Sequence, residues 1–133
     1  MLNPQKLQAM MNKTKTLTKG EMQVMNVLWS LPDSQGTSHD IMDSMPEPKP
    51  ATTTLLTFLK ILTEKGFVEA VKVGKGKLFS ARVSRRDYTS YYMRDVRDTF
   101  FGGSFRSLVS FFAEEENLSQ QEIDDLLALL KKD

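Results

Sequence analysis

The stretch from Lys49 to Val83, KPATTTLLTFLKILTEKGFVEAVKVGKGKLFSARV, constrains this chain more than any other. On a helical wheel Leu55, Phe58, Leu59 and Leu62 share one side, while Thr53, Thr57, Lys60 and Glu64 fall opposite. One face is suited to pack inward and the other to meet a partner. Gly66 stands where a C-cap glycine would stop the helix. The runs FVEAVKV and KLFSARV that follow are β-branched and aromatic, and Gly-Lys-Gly joins them. A polar-faced helix feeding directly into a basic β-hairpin is the order of elements with which a winged helix holds DNA.

The segment before this stretch supplies the other half of a helix-turn-helix. Thr18 followed by Glu21 predicts a capping box, with Met22, Met25, Leu28 and Trp29 recurring at helical spacing over about residues 19–31. Pro32 and Asp33 end that helix, and SQGT reads as a turn. Thr37 or Ser38 then caps a short helix carrying Ile41, Met42 and Met45 on one side. Alternate prolines at 46, 48 and 50 favour an extended, stiff linker into the next helix. Residues 1–16 are polar, show no sustained period and read as a mobile arm.

From Ser84, a predicted cap, the pattern is helical again. Tyr88, Tyr91, Tyr92, Val96 and Phe100 recur at spacings of three and four until Gly102 and Gly103 break the run. A second helix carries Phe105, Leu108, Val109 and Phe112. After a capping box of Ser119 and Glu122, a last one carries Ile123, Leu126, Leu127 and Leu130. Five of the eight phenylalanines fall in this segment, Phe100, Phe101, Phe105, Phe111 and Phe112. Three short amphipathic helices bury so much aromatic surface poorly alone, so the segment is expected to pair with a second copy. The expected organisation is mainly α with a small hairpin wing: an arm over 1–16, a winged-helix domain over 17–83 and a helical dimerisation domain over 84–133.

Charge divides along the same line. Up to Arg86 there are thirteen Lys and Arg against seven acids, a balance of +6; from Asp87 onward there are five against ten, a balance of −5. A basic module joined to an acidic one suits a first half that meets phosphates and a second half that meets protein. Thr52, Thr53 and Thr54 at the helix start offer hydroxyls and orphan amides to a phosphate. Lys72, Lys75, Lys77 and Arg82 form an expected phosphate-neutralising cluster on the wing, and Arg85 and Arg86 sit at the junction. The expected partner is double-stranded DNA.

Other chemistries find little footing. Without cysteine there is no disulfide and no thiolate metal site. The single histidine, His39, stands without a nucleophile or a ligand set, which argues against an enzyme, a metal or a cofactor. The carboxylates of EEEN at 114–117 point in different directions around a helix and read as a solvated face. The eight methionines read as core filling. No apolar run approaches the roughly 20 residues that span a bilayer, and the start lacks the apolar core of a signal peptide. A cytoplasmic protein without a membrane partner is expected.

LTKGEMQVMNVLW, TTLLTFLKILTEKGFV, GGSFRSLVSFFAEEENLS and QEIDDLLALL together resemble the BlaI/MecI family of penicillinase repressors, over roughly Leu17 to Lys132. The resemblance implies a winged-helix homodimer, joined through its C-terminal helices, that sits on a two-fold symmetric operator, commonly upstream of β-lactam-resistance genes, and leaves when a sensor protease cleaves it. Such repressors usually carry arginines at the positions of Leu56 and Ile61; here Lys60 is the helix's basic group. Thr53, Thr54 and Thr57 are left to meet phosphates, base edges or thymine methyls, with Ile61 packing on a methyl, which favours A·T-rich sites. The cleaved Asn-Phe bond matches Phe111 and Phe112 here, so either the protease has another preference or release takes another route. Two alternatives stand beside the repressor: a winged-helix adaptor that binds protein, and a repressor released by a small-molecule inducer held between subunits.

Overall fold

In the computed structural model, residues 17–130 and Gln5 are described, apart from the side chains of Leu126, Leu127, Leu129 and Leu130. The elements run α1 (Lys19–Ser30), a 3-10 turn (Pro32–Ser34), β1 (Gln35–Gly36), α2 (Ser38–Ser44), α3 (Thr52–Glu64), β2 (Val68–Val73), β3 (Gly76–Ala81), α4 (Arg85–Phe100), α5 (Phe105–Glu115) and α6 (Gln120–Leu130). The chain is mainly helical, as its periodicity predicts. Two compact units form, one ending at Thr89 and the other beginning at Ser90.

Capping sets the helix starts of the first unit. Thr18 accepts from the Glu21 amide and the Glu21 carboxylate accepts from the Thr18 amide, a reciprocal box that starts α1. Thr37 and Asp40 repeat the device on α2. At its far end α3 closes in a Schellman turn: the Phe67 amide donates to Leu62 O at 3.0 Å and the Gly66 amide to Thr63 O at 3.1 Å. Gly66 takes φ 87°, a left-handed conformation that a side chain would strain. This turn aims the chain from helix into wing, and it buries Leu62 and Phe67 completely.

The sheet is three-stranded and antiparallel, in the order β1-β3-β2. The SQGT stretch, expected to be a turn only, supplies the third strand: Gln35 and Gly36 pair with Ser80 and Phe79. Two residues are too few to show a period, and the pairing is made by the edge of β3. β2 and β3 pair from Val68↔Ala81 to Val73↔Gly76, closing on Gly74 and Lys75. Gly74, at φ 60°, provides the positive torsion that a two-residue hairpin turn requires at its first central position.

The core of this unit gathers Val24, Met25, Leu28, Ile41, Leu55, Leu59, Leu62, Phe67, Val68 and Val83. At about 25 cal/mol per Å², each fully buried aliphatic or aromatic side chain contributes roughly 1.5–3 kcal/mol. Gly20 lets α1 approach α3 closely, because a Cβ there would lie 2.4 Å from the Phe58 ring. Trp29 donates from Nε1 to Val83 O at 2.8 Å, and Arg85 covers the indole at 5.6 Å while donating to Asn26 O. Arg85 is thus an internal strut of the unit.

Tyr88 was expected among the partner-facing residues, and the structure places it elsewhere. It is buried against Trp29 and Phe67, with ring centroids 6.1 and 5.9 Å away, and its hydroxyl accepts from the Leu17 amide. The unit boundary therefore falls after the first turn of α4 rather than at Ser84. Ser84 does cap α4, accepting from the Asp87 amide at 3.0 Å.

In the second unit, Gly102 and Gly103 take φ 57° and 83° after α4. Ser104 caps α5, and Ser119 with Glu122 makes the predicted box on α6. Leu108 and Val109, expected to face a second copy, are covered within the chain itself. Val96, Phe105 and Ile123 are half-buried, and the Arg97 guanidinium lies 4.5 Å from the Phe105 ring. Tyr92, Phe111 and Phe112 remain 42–47 % exposed and Phe100 74 % exposed. Leu126, Leu127 and Leu130 lie outside the described side chains.

Candidate nucleic-acid interface

The polar face of α3 is open. Thr52, Thr53, Thr54, Thr57 and Lys60 are exposed, Ile61 is half-buried, and Leu55, Leu59 and Leu62 are buried beneath them. No side chain caps the start of α3, where Ala51 holds the N-cap position. The amides of Thr52, Thr53 and Thr54, which helix geometry leaves without an internal acceptor, therefore lie at an exposed helix start. Thr57 is more committed than its position suggests, since its hydroxyl donates to Thr53 O at 2.9 Å. It presents its methyl and its oxygen lone pairs outward, which suits a thymine methyl or a base amino group better than a phosphate.

Three features fix α3 in place. Glu21 on α1 is only 4 % exposed, and its carboxylate accepts from Lys65 Nζ at 2.8 Å, just past the end of α3. Burial raises the Glu21 pKa, yet hydrogen bonds from Lys65 and Thr18 and the lysine charge outweigh it, leaving the group below its ordinary 4.5. Phe58 fills the notch over Gly20. The third feature is Lys49, whose ammonium donates to Met42 O at 2.7 Å, Met45 O at 3.0 Å and Asp43 O at 3.1 Å. It closes the C-terminus of α2, which has no basic residue in its own last turn and no glycine behind it. The proline-rich linker bends at Glu47 and Pro48 instead of running extended, and Glu47–Pro48 is cis. The signal for Lys49 is a lone lysine soon after a short helix whose C-terminus has neither a glycine nor a basic residue.

The wing brings its cations to the same side as α3. Lys72 and Lys77 are register partners across the hairpin, so both side chains leave the same face of the sheet, and Lys75 sits in the turn. All three are exposed. Ala70 and Phe79 occupy the next pair on that face. A groove of about 460 Å³ is lined from α3 by Leu56, Leu59, Lys60, Thr63 and Glu64 and from the hairpin by Ala70, Lys77 and Phe79. Helix and wing thus form one surface. Like charges directly opposite each other, as Lys72 and Lys77 are, destabilise a hairpin unless an anion lies across them.

Arg82 does not join this cluster. It follows β3 at the base of the hairpin, its amide donating to Phe67 O at 2.8 Å, at the end remote from the turn that carries Lys75. His39 is a surface residue of α2, 3.9 Å from Asp43. Phe111 and Phe112 lie inside α5, packed edge to face at 5.8 Å, with Phe101 5.6 Å from Phe111. Among the described residues no helix is long and apolar enough to cross a membrane.

A buried three-helix core carrying an exposed threonine face and a lysine-bearing hairpin on one side defines a winged-helix regulator. The structure of a MarR family transcriptional regulator from Streptomyces coelicolor has the same fold, with a TM-score of 0.50 at 15 % identity over 92 % of this chain and 76 % of that one. Residues 17–132 match the penicillinase repressor family model, and the chain belongs to this family of DNA-binding transcriptional repressors, which are not enzymes. It is 30 % identical to the methicillin resistance regulatory protein MecI of Staphylococcus aureus strain N315, across 91 % of this chain and 98 % of that one. It is 26 % identical to the penicillinase repressor of Bacillus licheniformis, across 92 % and 94 % respectively.

Proposed function

We propose that the chain is a homodimeric repressor of β-lactam-resistance or related genes that occludes a promoter by binding a pseudo-palindromic operator. The observation that carries this reading is the single surface on which Lys60 of α3 and Lys77 of the wing line one groove. Lys72, Lys75 and Lys77 neutralise phosphates along the wing, and the helix-start amides of Thr52, Thr53 and Thr54 take another. Thr54 and Thr57 read base edges, and Ile61 and the Thr57 methyl favour thymine. Arg82 contributes long-range attraction only.

Dimerisation is assigned to the second unit. Its exposed Tyr92, Phe100, Phe111 and Phe112 form more aromatic surface than a solitary helical unit keeps in water. The two recognition helices of the dimer read half-sites one helical turn, or a multiple, apart. Cleavage by a sensor protease at Phe111–Phe112 requires α5 to open first, since backbone hydrogen bonds enclose that bond.

The test is selection of bound fragments from genomic DNA, followed by a comparison of Thr57→Ala with the parent protein on the selected operator and on random duplex. Affinity for the operator falls more than affinity for random DNA. Equal losses would refute base reading by α3.

A further inference from the structure

We infer that the groove between α3 and the wing is also a binding site for a small amphipathic organic anion, whose occupancy competes with DNA. The competition rests on the function proposed above; the binding site does not.

At about 460 Å³ the groove has room for a small organic ligand. Its floor is apolar, made by Leu56, Leu59, Ala70 and Phe79. Leu56 is 44 % exposed, so a large aliphatic side chain of α3 stands open to solvent beside the groove. Phosphates and base edges give such a floor little to pack against, whereas the hydrocarbon body of a small ligand covers it.

Charge selects the ligand's other end. Lys60 enters from the helix and Lys77 from the hairpin, and neither has a hydrogen bond or ion pair among the described residues. Lys65 and Lys49 differ from them, the first held by Glu21 and the second by three carbonyls. Two uncommitted lysines lining an apolar floor are complementary to a carboxylate or sulfonate carried on an aryl or alkyl body. Glu64 also lines the groove, one turn beyond Lys60 without pairing to it, and opposes an anion there. A body seated on Leu56 and Phe79 occupies the space through which α3 and the wing jointly approach a duplex, and its head group occupies the same lysines.

The test titrates 1-naphthalenesulfonate into the ¹⁵N-labelled full-length chain and follows amide shifts without DNA present. Saturable shifts are expected at Lys60, Thr63, Ala70 and Lys77. Affinity falls about tenfold in the double variant Lys60→Gln/Lys77→Gln, the loss of a charge-assisted hydrogen bond. It rises in Glu64→Gln. The neutral body alone, 1-naphthol, binds about tenfold more weakly than the sulfonate if the lysines select charge. Shifts confined to the second unit, or an affinity indifferent to both the lysines and the sulfonate, overturn the site. Adding duplex DNA then displaces the sulfonate; simultaneous binding of both without mutual effect overturns the competition. A chain that takes the sulfonate in a lysine-dependent way yet binds no duplex at low salt would refute the proposed function and leave the site standing.

Discussion

Replacing Lys49 with methionine separates a structural cation from a DNA-contacting one. The substitution keeps an unbranched, similarly long side chain but removes the three hydrogen bonds that close α2, to Met42 O, Asp43 O and Met45 O. A cation on the last carbonyls of a helix is worth about 0.3–1 kcal/mol at an exposed end and up to about 2 in a partly buried one. Two of the three bonds are exposed and the one to Met45 is partly buried, and water re-solvates the freed carbonyls. The expected loss is therefore about 1–1.5 kcal/mol, and each kcal/mol lowers Tm by roughly 4–8 °C for a domain of this size. Urea unfolding followed through Trp29, the chain's single tryptophan and a buried one, measures it. DNA affinity falls as well, because the α2–α3 turn loosens, but the slope of log affinity against log salt stays unchanged. A variant of unaltered stability whose salt slope drops by about 0.9 would make Lys49 a phosphate contact and refute its role as a cap.

Three further outcomes follow from the geometry. Gly66→Ala forces an alanine to φ 87° and is expected to cost about 1–2 kcal/mol in urea unfolding; a neutral result would contradict the Schellman turn between α3 and the wing. Glu21 has a folded pKa below its ordinary 4.5, so its contribution is present above the unfolded value and lost as pH falls through the folded one. The stability gap between the parent and Glu21→Gln therefore narrows below about pH 4.5, and a gap that widens on acidification would reverse the assigned direction. Phe112→Asp places a charge on the exposed aromatic face of the second unit and shifts sedimentation from dimer to monomer at micromolar concentration; an unchanged dimer would move the interface elsewhere.

The elements were legible where local chemistry decides them. Thr18 with Glu21, Ser119 with Glu122, and Gly66 each announce a helix end through a hydrogen bond spanning three to five residues, and the two faces of α3 follow from spacing alone. What escaped depends on distant partners. β1 exists because the edge of β3 accepts it, and no pattern in Gln35 and Gly36 records that. Tyr88 keeps the same helical phase as Tyr92 and Val96, so periodicity placed it with the partner-facing residues. Its burial comes from Trp29 and Phe67, tens of residues away. Lys49 and Thr57 follow the same rule: composition counts a cation or a hydroxyl, but only the fold shows which carbonyl it bonds. The three wing lysines are exposed, Lys72 and Lys77 as register partners across the hairpin and Lys75 in its turn.

The proposed function requires α3 and the wing to act as one phosphate-facing surface. Its most direct test is fluorescence anisotropy with duplex DNA across a salt series, comparing the parent protein with Lys72→Gln/Lys75→Gln/Lys77→Gln. Each lysine that displaces a counterion contributes about 0.9 to the slope of log affinity against log salt, so the triple variant is predicted to flatten it by roughly 2–3 per subunit. Binding that is negligible at low salt, or a slope indifferent to the three lysines, would contradict the account.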